Sequence, residues 1–290
     1  MNRKILIMLI IGVLSTGWVY GQSVRLGARG GFAVPNIIAS GDNVLSKGYK
    51  SRFAGGGGIF TELDINKQFT VRFGVEYSSQ GGKRDGVQGM STNQMFTDMI
   101  SRMGTNIPAT VAENLLPMAE LLPIFYADVK NTAKFEYLMI PLSLQTNLLH
   151  ADKWKLYVNA GPFFSFLLSA EQISKGKTKL YISADKTTTI YDLIPAAMRQ
   201  QLESDVPEIA EVLKNGAEFG TSTITGEIRP LNIGVQGNIG ASYFLGKNHN
   251  IFLETGGNYG FLRLQKDSKN GTNRIGAFTI MFGYAFSIIN

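Results

Sequence analysis

The chain contains no cysteine. If exported, it takes its stability from something other than disulfides, and it has no cysteine through which a lipoprotein is anchored. Histidine is nearly as scarce, with only His150 and His249. Both fall in short connections, and neither belongs to a cluster at metal-ligand spacing, so no metal or cofactor is expected. A Ser–His hydrolase or acyltransferase would lack its base at the rim where long loops gather. After the N-terminus no stretch approaches the ~18 apolar residues of a membrane-spanning helix. Charge is spread thinly. The net charge is +6, or +4 without Arg3 and Lys4, and it forms no basic stripe along the sequence, so nucleic acid is not an expected partner.

The first residues, MNRKILIMLIIGVLSTGWVYGQS, pair two cations with an apolar run from Ile5 to about Leu14 and then small and polar residues. This is the layout of a secretory signal peptide. Cleavage after Gly21 is expected, leaving a single unit over 22–290. The run is short for an N-terminal anchor.

What remains is rich in glycine, 33 residues in all, much of it inside apparent strands, where it is normally disfavoured. Alternation of bulky apolar with small or polar residues marks eight segments, roughly 23–33, 51–63, 69–84, 133–148, 155–170, 231–245, 251–262 and 274–288. In the last, Phe278, Ile280, Phe282, Tyr284, Phe286 and Ile288 alternate with Ala277, Thr279, Met281, Gly283, Ala285 and Ser287. Short turns at 64–68, 149–154 and 246–250 alternate without exception with longer connections at 34–50, 85–132, 171–230 and 263–273.

Outer-membrane barrels show this pattern, with short periplasmic turns and long extracellular loops. The polar face of 231–245 carries no charge, which suits the crowded interior of a small barrel better than a surface in water. The expected fold is therefore all-β: an eight-stranded antiparallel up-and-down transmembrane β-barrel, both termini periplasmic, with α-helical insertions in two long extracellular loops. Apolar positions face lipid, and the last strand closes the barrel on the first, Ser23 to Ala33. Trp154, Phe69, Tyr243 and Phe286 are the expected interfacial aromatics near the turn end. Pro141 and Pro162, which lack ladder N–H groups, predict a bulge or break.

The loops 85–132 and 171–230 are far longer than closure of a barrel needs. In 91–103, Met95, Phe96, Met99, Ile100 and Met103 share a helical face. The stretches 106–122 and 193–213 both read Ile-Pro-Ala, a helical segment and a second proline, with Pro108, Pro117, Pro195 and Pro207 suited to first helical turns. Two similar hairpins are expected, packed through Leu115, Leu121, Leu122 and Ile209, Val212, Leu213.

Some residues resemble a known family. Val24–Gly31 opens like the first strand, Tyr137–Leu142 (YLMIPL) is similar to the "YLEIPL" strand, and Tyr157–Phe163 carries the "AGP" element of the bacterial outer-membrane barrel family that includes PorT. The resemblance covers the chain apart from its signal and the two helical loops, and it marks the barrel rather than an activity.

Candidate sites follow. Arg25, Arg29, Glu62, Arg72, Glu76 and Glu254 fall on lumen-facing positions, as a plugging ion-pair network or as a gated path for small ions. GGGG at 55–58 lacks the GK[ST] ending of a phosphate loop and reads as close backbone packing. Ile124, Phe125, Tyr126 and Tyr191 are a candidate partner surface on the long loops, where binding usually resides. Gly283, Phe286 and Ile288 are spaced like a C-terminal signal for barrel-assembly machinery, without the usual terminal aromatic. The expected partners are the lipid bilayer, that machinery, and a protein or small-molecule ligand at the extracellular loops. The expected role is non-enzymatic binding or scaffolding; the alternative is a narrow channel or an accessory of transport or protein export across the outer membrane.

Overall fold

The computed structural model describes residues 23–39, 41–93, 95 and 120–289. The expected leader over 1–21, the residues Phe96, Met99, Ile100 and Met103, and Pro108, Leu115 and Pro117 lie outside the described residues.

Eight strands close a ring: β1 (Val24–Ile38), β2 (Ala54–Asp64), β3 (Phe69–Arg84), β6 (Lys130–His150), β7 (Trp154–Thr178), β9 (Leu231–Phe244), β10 (His249–Gly260) and β11 (Arg274–Ile289). Each pairs antiparallel with its neighbours in that order, and β11 returns to β1 over Val24↔Ile289 to Ile38↔Arg274. No barrel strand is left with a free edge, the condition for backbone to lie in hydrocarbon. Short turns join β2 to β3, β6 to β7 and β9 to β10, and all other connections lie at the opposite end.

The two faces separate as the alternation demands. Phe278 and Phe282 are 52% and 56% exposed on the outside, while Met281 and Ala285, between and beyond them, are buried in the lumen. At the turn end Trp154 packs edge-on to Tyr243 at 4.8 Å. At the other end the outside changes character within two residues. On β6 the outward Leu144, Leu142, Ile140 and Leu138 give way to Glu136 and Lys134, whose ion pair of 2.7 Å is the first charged step on that strand. Tyr77 on β3 donates its hydroxyl hydrogen to Glu136 across the same line. This is the outer edge of the lipid belt.

Strands β6 and β7 run well past it, to Lys130 and Thr178, so the long loops are shorter than the apolar pattern implies. Above the edge large apolar side chains turn inward, with a few polar ones such as Arg84, Asn131 and Ser174 beyond them. Ala133, Phe135 and Tyr137 join Ile37, Ile224, Ile228, Leu264 and Ile275 in a core that fills the barrel mouth.

The prolines break pairing without adding residues. Between β6 and β7 the pairs Pro141↔Phe163 and Leu144↔Ala160 flank an unpaired step, while the register shifts sit elsewhere, at Glu136/Tyr137 and Asn147/Leu149. Of the expected bulge or break at Pro141 and Pro162, the structure has the break. Gly161 makes it tolerable, because a Cβ there would lie 2.0 Å from the Leu142 carbonyl oxygen.

Outside the membrane, β4 (Val87–Ser91) and β5 (Ile124–Asp128) form a ribbon, and β8 (Ala217–Thr223) adds to the extended part of β7. Helices α1 (Ile190–Leu193), α2 (Ala196–Asp205) and α3 (Pro207–Asn215) lie between β7 and β8. Thr189 and Asp192 cap α1 reciprocally, Pro195 takes the N-cap of α2, and Pro207 occupies its first turn in α3. Ile209, Leu213, Leu202 and Ile194 pack with Phe125 and Leu180 into a second core, the cap. Leu122 and Val212 join it, but Leu121 does not: it is 86% exposed.

Lipid contact predicts a depth-dependent cost. Phe282→Arg, in the middle of the belt, should destabilise the barrel by about 2–4 kcal/mol, and Ile288→Arg, near the turn edge, by about 0–1 kcal/mol. Urea titration of the folded protein in vesicles measures both; equal costs would place the belt elsewhere.

Candidate functional site

Sheet register dictates how the lumen is filled. Arg25, Glu62 and Arg72 stand side by side on β1, β2 and β3. The Arg25 Nε lies 2.8 Å from Glu62 Oε2, and Arg72 Nη2 lies 2.6 Å from Glu62 Oε1. Two rungs further out, past Gly27, Phe60 and Gly74, Arg29 and Glu76 flank Gly58. They reach across it to pair at 2.7 Å. A Cβ at Gly58 would come within 2.6 Å of the Glu76 Cα and 2.1 Å of the Val75 carbonyl oxygen. Glycine is therefore what permits the pair, and the GGGG stretch is a strand interior.

Glu254 on β10 joins the two walls. Its strand is four places from β3 in either direction around the ring. Arg72 Nη1 approaches its Oε1 to 2.5 Å and Arg29 Nη1 its Oε2 to 2.6 Å. Tyr157 on β7 donates to the same carboxylate at 2.8 Å and Asn159 at 3.0 Å. Tyr157 can do so because Gly240, between it and Glu254 in register, leaves room for the ring: a Cβ there would stand 2.3 Å from the Tyr157 Cζ. Arg72 is further enclosed by Phe60 and Phe252, with its guanidinium 4.7 and 5.4 Å from the ring centroids.

All six charged residues singled out in the sequence meet in this network. It also takes in groups outside that set. Asp64, at the end of β2, holds Arg25 at 2.6 Å. Lys155 is buried with its Nζ 5.2 Å from the Tyr157 ring. Lys155, Tyr157 and Asn159 are readable in principle, since they alternate with the outward Trp154, Leu156 and Val158 on one strand. With Asp64 and Lys155 counted, cations and carboxylates balance, as charges withdrawn from water must.

Beyond the barrel-mouth core lies a cavity of about 330 Å³, roofed by the cap and walled by the outer strand extensions. Its apolar lining comes from Met90, Phe125, Phe135 and Phe219, and its polar groups include Arg84, Gln172 and Asn273. The volume falls at the lower end of small-molecule sites, about 300–1,000 Å³. Arg84 Nε and Asn273 Oδ1 are buried without a hydrogen-bond partner.

The candidate partner surface divides. Phe125 is 0% exposed and belongs to the cap core, because the β-ribbon alternation turns it inward between Ile124 and Tyr126. It is therefore not a surface residue. Ile124, Tyr126 and Tyr191 are half-buried. The Tyr191 hydroxyl donates to Glu203 at 2.8 Å, which raises the phenol's pKa and lowers that of the carboxyl. Gly283, Phe286 and Ile288 lie on β11, with the Phe252 ring over Gly283 and the other two facing out. His150 and His249 sit at the turn end, His249 Nδ1 lying 2.5 Å from the Tyr284 hydroxyl.

Removing Glu254 leaves Arg29 only Glu76 and Arg72 only Glu62, and the buried network one positive charge in excess. Glu254→Ala should cost on the order of 3–5 kcal/mol, read as a lower midpoint of denaturant unfolding. Gly58→Leu should also destabilise, through collision, whereas Gly226→Ala, with nothing near its missing Cβ, should not.

A family model described as "Outer membrane protein beta-barrel domain" matches residues 20–265. Among solved structures, the chain is similar to Neisserial surface protein A, with 13% identity over 92% of this chain and 98% of that one and a TM-score of 0.37. It is similar to a major outer membrane protein from Thermus thermophilus, with 11% identity, 93% and 100% coverage and a TM-score of 0.41. It is also similar to the outer membrane protease OmpT from Escherichia coli, with 10% identity, 92% and 97% coverage and a TM-score of 0.41. No curated protein matches the sequence. The closed eight-stranded ring, its apolar belt and the family match over most of its length agree: this chain belongs to the outer membrane protein β-barrel domain family and resides in the bacterial outer membrane.

Proposed function

We propose that this chain is a non-enzymatic binding protein whose barrel is a closed scaffold and whose working parts are the cavity and cap on the outer side. The observation that carries this reading is the contrast between the two ends of the lumen. The inner part is crossed by charge-balanced ion pairs that join opposite walls, Arg72 to Glu254 at 2.5 Å. The outer part opens into a cavity of about 330 Å³ with apolar walls and unpartnered polar atoms. A site of that composition suits a small ligand with an apolar body and a hydrogen-bonding head. Ile124, Tyr126 and Tyr191 extend the same side toward a protein partner. Both histidines lie at the opposite end, which supports the non-enzymatic reading.

The strand motifs shared with PorT-like barrels, Tyr137–Leu142 and Tyr157–Phe163, support placing the chain in that subgroup. Gly283, Phe286 and Ile288 fit recognition of the last strand by barrel-assembly machinery.

Two measurements test the proposal. Purified protein in planar bilayers should show no steady open-channel steps; steady steps would favour the channel alternative. Native mass spectrometry of protein extracted from outer membranes should show a small molecule that is lost in Ser174→Trp, which fills the cavity from β7. Retention of the molecule in that variant would remove the cavity as its site.

A further inference from the structure

Four lysines far apart in sequence meet on the outside of the barrel above the lipid belt. Lys50 pairs directly with Lys83, their backbones exchanging hydrogen bonds of 2.8 and 2.9 Å. Lys130 pairs directly with Lys175 on β6 and β7. The two couples are adjacent, since Lys83 stands opposite Thr132, two residues from Lys130. All four side chains are exposed, and their sequence neighbours show the direction. Tyr49 and Arg84 turn inward and stack at 4.5 Å, and Asn131 and Ser174 are buried.

Like charges directly opposite on neighbouring strands repel, and here nothing among the described residues relieves them. Glu136 pairs instead with Lys134 at 2.7 Å and Asp128 with Lys186 at 2.6 Å, while Glu171, four residues from Lys175 on β7, and Asp85, two from Lys83, pair with none of the four. None of the four lysines forms an ion pair among the described residues. Two unneutralised lysine couples on one face are a site for an anion with more than one negative group.

Height selects the anion. Lys130 lies six residues beyond Glu136, and Lys83 six beyond Tyr77, the two residues that mark the belt edge. At ~3.4 Å per residue and a strand tilt of ~40°, the lysines stand about 15 Å above the hydrocarbon. The headgroup zone of an ordinary phospholipid bilayer is only about 5–8 Å deep on each side. A phospholipid phosphate reaches the level of Lys134; a phosphate carried on a sugar headgroup reaches the four lysines. We propose that Lys50, Lys83, Lys130 and Lys175 form a docking site for the phosphorylated sugar headgroup of an outer-leaflet glycolipid. The site is separate from the cavity beneath the cap and does not depend on what that cavity holds.

The test is thermal unfolding, read by the gel shift of the folded barrel, in three bilayers: phosphatidylcholine, phosphatidylcholine with phosphatidylglycerol, and phosphatidylcholine with a phosphorylated lipopolysaccharide. The proteins are wild type, K50Q/K83Q/K130Q/K175Q, and a control, K67Q/K153Q/K247Q, which removes lysines from the turns at the other end. In lipopolysaccharide, wild type and control should gain several degrees, and the quadruple variant should not. In phosphatidylcholine alone the quadruple variant should melt at or above wild type, because the opposed charges are gone. Three results would each overturn the proposal: an equal gain in wild type and quadruple variant, loss of the gain in the control, or a lysine-dependent gain already complete in phosphatidylglycerol. A quadruple variant that melts below wild type in phosphatidylcholine would do the same, showing the lysines to be structural.

Discussion

Hydrocarbon offers no hydrogen-bond partner, and the architecture follows from that. Every backbone N–H and C=O at membrane depth must be satisfied by the chain itself, which leaves an open sheet no place to end. Pairing of β11 with β1 along the whole of β1 meets the condition. Closure with eight strands then creates a second problem, an interior too narrow for water to fill yet lined by the polar half of each strand's alternation. The lumen must satisfy itself as the wall does.

It does so by matching large groups to missing ones. Two of the long side chains lie along the wall, over residues without a side chain, while Arg72 spans the lumen from β3 to Glu254 on β10. Arg29 reaches Glu76 over Gly58, and Tyr157 reaches Glu254 over Gly240. At Gly58 and Gly240 the glycine and the buried polar pair are thus one feature, while Gly27, Gly234 and Gly283 make room for the rings of Phe60, Phe163 and Phe252. Each notch is placed by register between two partners, and neither works without the other. Glu254 then serves four donors from three other strands, so the walls are joined by side chains as well as by backbone.

The legible part of this design is the part in contact with lipid. Alternation is strongest where one face meets hydrocarbon, and the eight strands, the turn end and the outward set from Phe278 to Ile288 can all be read from it. The lumen charges are readable by parity for the same reason. Legibility fails at the belt edge, where the pattern inverts. On β6 the apolar side chains move from the outward Leu142, Ile140 and Leu138 to the inward Tyr137, Phe135 and Ala133. The strands continue, but the run of outward apolar residues stops, and so 130–132 of β6 and 171–178 of β7 read as loops, although 133–137 and the whole of β3 read as strand. Phe125 is misread for the same reason: in a loop its ring would meet water, in the β4–β5 ribbon it turns into the cap. The lysine couples are invisible in the sequence because their closeness is a property of register, not of sequence distance.

The inversion also explains why one chain can carry two kinds of core. Below the edge, apolar groups face out, and the interior must be polar and charge-balanced. Above it, the same strands are wetted outside, and the interior becomes apolar, first around Phe135 and Ile275 and then around Phe125 and Ile209. Between those two apolar layers the cavity opens, at the level where the strand extensions give way to the cap. A cavity in the inner half would leave some of Arg25, Arg29 and Arg72 without their carboxylates, at high cost. Above the edge, water can replace whatever leaves. Space for a ligand is therefore cheapest on the outer side.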